Sequence, residues 1–84
     1  MKGVIMEHGK GYGIRIERAE TTGVTLYLTH DGIDTGTSMS YLINNVTIEN
    51  LINTIRSWYM FGALNKIEDR DKLIEAARRM WLPN

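Results

Sequence analysis

The sequence predicts an α+β fold, a four-stranded antiparallel meander (order 1-2-3-4) followed by two helices packed on one face of the sheet. Three observations lead there. Val4 and Met6; Tyr12, Ile14 and Ile16; Val24, Leu26 and Leu28; and Met39, Tyr41 and Ile43 are short apolar sets alternating with polar or small residues, as in half-buried strands. Past Asn44 the apolar spacing changes to three and four, the period of a helix. The four strand sets also keep one parity across short connections, so a single register puts all of them on one face.

The first link, Gly9-Lys10-Gly11, suits a tight hairpin with a bulge, pairing Met6 with Ile14 and Val4 with Ile16. The stretch Ala19 to Gly23 lets Arg18 face Val24, Ile16 face Leu26 and Ile14 face Leu28, which sets Arg15 opposite Tyr27. A longer link from Asp31 to Gly36 then lets Leu28 meet Met39, Leu26 meet Tyr41 and Val24 meet Ile43. Asn44-Asn45 breaks the sheet. Thr47 is the expected N-cap of a helix whose buried stripe is Ile48, Leu51, Ile52, Ile55, Trp58 and Tyr59, ended by a left-handed Gly62. Asn65 and Glu68 have the spacing of a capping box for a second helix, acidic at its start and carrying Arg78 and Arg79 near its end, in line with the macrodipole. Its apolar side is Ile67, Leu73, Ile74, Ala77, Met80 and Trp81, and Pro83 ends it.

Residues 1–84 are expected to form one two-layer domain, at a size where only about 60% of the chain's surface is buried. A contact surface is therefore expected rather than a deep enclosed pocket. Ten basic side chains balance ten acidic ones, which leaves no overall attraction to nucleic acid or anionic lipid. The absence of cysteine excludes disulfides, thiol nucleophiles and thiolate metal sites. The opening residues are too short an apolar run for a signal-peptide core, and no stretch is apolar enough to span a bilayer. The expectation is a cytoplasmic protein with no membrane partner and no cofactor.

With both helices on one side, the other sheet face is left to water or to a partner. It should carry Ile5, Glu7, Arg15, Glu17, Thr25, Tyr27, Thr29, Ser38, Ser40 and Leu42. Arginine and tyrosine are favoured interface anchors, and the pair Arg15 and Tyr27 is the first candidate for partner binding; the plain alternative is a stabilising cross-strand pair on a solvated face. Met60, Phe61 and Leu64 lie off the buried stripe of the first helix. They are expected to be covered, either between the sheet and the second helix or, for Phe61 and Met60, by a target protein or a second copy of the chain. Arg70, in the middle of the second helix's apolar side, must snorkel or pair, or else serve a partner.

A weaker set, Lys10, Arg15, Arg18 and Tyr27, has the residue types of a single-stranded nucleic-acid surface, where rings stack on bases and cations follow phosphates. Gly9-Lys10-Gly11-Tyr12-Gly13 is glycine-rich like a phosphate loop, but it sits between two strands and lacks the Lys-Ser/Thr ending. His8 and His30 are placed near one end of the sheet with Glu7, Asp31 and Asp34, without a recognised ligand spacing. No serine has a nucleophile-elbow context. These readings point away from an enzyme and from a metal site, toward a protein-binding inhibitor or regulator with a larger protein as target. In plan, a short meander followed by two helices, the chain resembles some phage-encoded anti-defence proteins, certain anti-CRISPR inhibitors among them. That resemblance is one of architecture and size, and it implies a phage or mobile-element source.

Overall fold

The computed structural model describes residues 3–6, 10–19, 22–42 and 44–81, with backbone alone at 3–5. An antiparallel sheet is followed by two helices. The elements are β1 (Gly3–Met6), β2 (Tyr12–Ala19), β3 (Gly23–His30), β4 (Ile33–Leu42), α1 (Ile48–Met60) and α2 (Ile67–Met80), and hydrogen-bonded neighbours in the sheet follow chain order.

The β2–β3 ladder has the predicted register: Ile14 opposite Leu28, Ile16 opposite Leu26, Arg18 opposite Val24 and Arg15 opposite Tyr27. Alternation over residues 12–17 and 24–29 puts the apolar side chains of both strands on one face, and the short connection between the strands selects this register among those of the same parity. The other two ladders correct the sequence expectation. β1 is shifted by one residue, so that Ile5 lies opposite Ile16, Val4 opposite Glu17 and Met6 opposite Arg15. Val4, Ile5 and Met6 are apolar in succession, and such a run carries no parity of its own.

Between β3 and β4 the turn is only two residues. Asp31 and Gly32 both have positive φ (51° and 83°), the twist that suits a two-residue hairpin, and His30 pairs with Ile33 and Thr29 with Asp34. An irregularity follows. Thr35, Gly36 and Thr37 stand against Leu28 alone before Tyr27 meets Ser38, Leu26 meets Met39 and Val24 meets Tyr41. The Thr35 hydroxyl donates to the Leu28 carbonyl at 3.0 Å and accepts from the Thr37 N–H at 3.3 Å, satisfying backbone groups that the ladder misses there. The result differs from the predicted register by two residues, so facial parity survives.

Thr47 caps α1 as expected, its hydroxyl accepting from the Asn50 N–H at 3.1 Å. The helix ends at Phe61, whose N–H bonds the Ser57 carbonyl at 2.8 Å, and Gly62 takes the left-handed conformation at φ 91°. For α2 the predicted Asn65 cap is corrected. Lys66 is the cap residue and offers no side-chain bond, so the helix start rests on Glu68 and Asp69 against the dipole.

Three side chains, those of Lys72, Arg18 and Tyr41, orient the helices. Lys72 Nζ donates to the Lys10 carbonyl at 3.2 Å, and the Arg18 guanidinium lies 3.9 Å from the Trp81 ring centroid, so α2 runs along β2. The Tyr41 hydroxyl donates to the Asn50 carbonyl at 3.0 Å and is hydrogen-bonded to the Thr54 hydroxyl, which holds the first half of α1 over β4. Ile14, Ile16, Val24, Leu26 and Leu28 from the sheet share one core with Leu51, Ile55, Trp58, Leu64, Leu73, Ala76 and Ala77. Ile67, expected on α2's buried side, is 46% exposed because it opens the helix ahead of the layer contact. Among the described residues no helix is long and apolar enough to cross a membrane.

Candidate functional site

Since the even-numbered side chains of β2 and β3 turn toward the helices, the odd-numbered ones stand on the other face. There Arg15, Tyr27, Glu17 and Asp34 form one connected group. Arg15 reaches from β2 across β3 to the carboxylate of Asp34 on β4, with Nη2 at 2.6 Å from Oδ2 and Nε at 3.2 Å from Oδ1. On the way its guanidinium stacks 3.8 Å from the centroid of the Tyr27 ring. The Tyr27 hydroxyl in turn donates to Glu17 Oε1 at 3.1 Å. Beside them the hydroxyls of Thr25 and Ser40 share a hydrogen bond of 3.0 Å.

The ion pair sets the electrostatics of this face. Arg15's hydrogen bond holds the Asp34 carboxyl below the usual carboxylate range, and the same bond raises the guanidinium's already high value. The pair therefore stays charged to a lower pH than an unpaired aspartate would. Each side chain is fixed by a neighbour, so the arginine and tyrosine present an ordered surface rather than a mobile one. At one end of the face an open cleft of about 380 Å³ is lined by Glu17, Gly23, Thr25, Ser40 and Leu42, and the Leu42 side chain is 68% exposed.

Thr29 corrects the expectation of a uniformly open face. It is only 1% exposed, and its hydroxyl has no hydrogen-bond partner. Arg15 and Asp34 stand on the strands to either side of β3, and their ion pair crosses β3 where Thr29 lies opposite Asp34. A buried hydroxyl without a partner costs about 1–3 kcal/mol. Thr29→Val, which keeps the shape and removes the hydroxyl, is therefore expected to raise stability by about 1 kcal/mol in urea unfolding; a loss of that size would mean that the hydroxyl is bonded.

The other predicted residues are dispersed. Phe61 and Met60 are 82% and 74% exposed, so the expectation that the sheet and α2 cover them is corrected. Of that group only Leu64 is buried, its N–H bonding the Trp58 carbonyl at 3.1 Å to close the turn. Arg70 is paired: its Nη2 and Nε donate to Asp71 Oδ1 at 2.8 and 3.0 Å, and its guanidinium lies 5.3 Å from the Tyr59 ring centroid. The nucleic-acid set is not brought together. Lys10 is exposed at a turn, Arg15 and Tyr27 are stacked on the bare face, and Arg18 lies on the helical side against Trp81.

His8 and Glu7 lie outside the described residues. His30 is at the β3–β4 turn, edge-on to Tyr12 with ring centroids 4.8 Å apart and with Nδ1 3.5 Å from Asp31 Oδ2. Among the described residues no three histidine, cysteine or carboxylate groups are gathered as metal ligands.

The sequence expectation paired neither Asp34 with Arg15 nor Trp81 with Arg18. Asp34 was readable, because a two-residue Asp31-Gly32 turn sets it diagonal to Arg15. Trp81 on Arg18 was not, since it depends on how α2 lies along β2. No protein-family model, curated protein or solved structure matches the chain.

Proposed function

We propose that the chain is a small non-enzymatic protein-binding module, an inhibitor or regulator that occupies a surface of a larger protein through its uncovered sheet face. The observation that carries this reading is the Arg15–Tyr27 stack, pinned by Asp34 and Glu17 on the side away from both helices. An ordered arginine on an aromatic ring loses little conformational entropy when a partner covers it, the property that makes such residues binding anchors. The exposed Leu42 and the cleft beside it supply an apolar edge to the same surface. The reading takes the sheet as a meander of four strands and the site of action as the cytoplasm, that of the host where the source is a phage.

The test is paired capture from the native host with the wild-type chain and with Arg15→Ala/Tyr27→Ala. A partner held by the wild type and lost by the double variant, with stability changed by no more than about 1 kcal/mol, is the expected outcome. Equal capture by both chains would remove the sheet face as the contact surface. Recovery of nucleic acid whose affinity falls steeply with salt would replace the protein target with a nucleic-acid one.

A further inference from the structure

We propose that β4 is the seam of a symmetric dimer, in which Ser38–Leu42 pairs antiparallel with the same segment of a second copy and extends the sheet. Among the described residues β4 has a neighbour on one side only. Soluble proteins protect such edges with charge, proline, bulges or brevity. β4 is ten residues long, has no lysine, arginine or proline, and carries a single charge, Asp34. Its irregularity at Thr35–Thr37 protects the first half alone. The second half, Ser38-Met39-Ser40-Tyr41-Leu42, is regular and uncharged, and among the described residues its one backbone partner beyond the ladder is the Asn45 N–H, which bonds the Leu42 carbonyl at 2.9 Å.

The backbone of that half has a definite direction. The Tyr41 carbonyl lies so close to Gly23 that a side chain there would collide with it, which places it on the β3 side of the strand. By alternation Met39 and Tyr41 bond toward β3, and Ser38 and Ser40 direct their N–H and C=O away from it. A two-fold axis at Ser40 makes Ser40 its own partner, exchanging both backbone bonds with its copy. Met39, 44% exposed, then meets Tyr41 of the second copy on the helical side, and Leu42 meets Ser38 on the other.

The helical layer has a matching flank. The Tyr41 bonds to Asn50 and Thr54 identify the side of α1 that overlies β4, and that side continues through Ser57 to Phe61 at intervals of four, three and four. It carries no charge, and Phe61 at its end is 82% exposed. The charged residues of α1, Glu49 and Arg56, are on its far side from the core. An isologous interface needs a patch that complements itself, and an uncharged flank on a chain of zero net charge meets that need without repulsion. The dimer would leave the Arg15–Tyr27 face of each copy free.

Sedimentation velocity over a concentration series tests the proposal. The wild-type chain should reach twice its 9.6 kDa mass. Ser40→Lys sets like charges across the two-fold and should weaken the dimer by about tenfold or more. An equimolar mixture of Ser40→Lys and Ser40→Glu chains should restore it. A wild-type chain that stays monomeric to about 1 mM, or a Ser40→Lys chain that dimerises as before, overturns the proposal. If Ser40→Lys does not fold, hydrogen exchange on the wild type decides: slower exchange at the Ser38 and Ser40 amides with rising concentration supports the seam, and unchanged exchange overturns it. Protection of those amides only on adding a target protein assigns the edge to a foreign strand, and that too overturns the self-pairing.

Discussion

Leu26→Ala is expected to cost about 2–5 kcal/mol in urea unfolding, the largest stability effect of any single change considered. Leu26 is fully buried at the centre of β3, between Ile16 on β2 and Met39 on β4, in the core cluster that joins the sheet to both helices. Truncation leaves a cavity that neither layer can close, since the sheet is held by its ladders and the helices by Leu51, Ile55 and Leu73 against the same surface. For a domain of this size such a loss is a large share of the total stability. A near-neutral result would mean that the even-numbered residues do not form the core.

Tyr41→Phe is expected to cost about 1–3 kcal/mol at neutral pH. The hydroxyl it removes donates to the Asn50 carbonyl and is bonded to Thr54, which is 6% exposed and would be left with a buried polar group. The same phenol carries a pH signature. Its partial burial raises its pKa above the ordinary value near ~10, so between the unfolded and folded values the folded chain holds a proton that the unfolded chain has released. The stabilisation is therefore fully present below pH ~10 and declines as pH rises through the folded value. Unfolding curves of the two chains should accordingly converge on going alkaline. A constant gap across that range would mean that the phenol is not sheltered by α1.

How much of this was legible in the sequence depends on alternation. β2 and β3 alternate apolar with polar or small residues over 12–17 and 24–29 and are joined by a short connection, so parity and link length together made their register, and with it the Arg15–Tyr27 pair, recoverable. β1 offered consecutive apolar residues and slipped by one. β4 slipped by two because its turn was read as long, although Asp31-Gly32 has the residue types of a two-residue hairpin turn with both φ positive. That error concealed Asp34, the residue that anchors Arg15. For Met60 and Phe61 two readings stood open, burial under α2 or an exposed partner surface, and helix placement decides between them: α2 runs along β2 and leaves that end uncovered. Arg18 on Trp81 and Arg70 on Tyr59 likewise depend on helix placement, which local spacing does not encode.

The central claim is that the Arg15–Tyr27 stack stands on the sheet face opposite both helices. The most direct measurement is a nuclear Overhauser spectrum of the folded chain with assigned methyl and aromatic resonances. Cross-peaks from the Leu26 and Ile14 methyls to Ile55 and Leu73, with Tyr27 ring protons coupled to Arg15 and to no residue of α1 or α2, are the predicted result. Cross-peaks from the Tyr27 ring to Leu51, Ile55 or Leu73 would place the ring under the helices and contradict it.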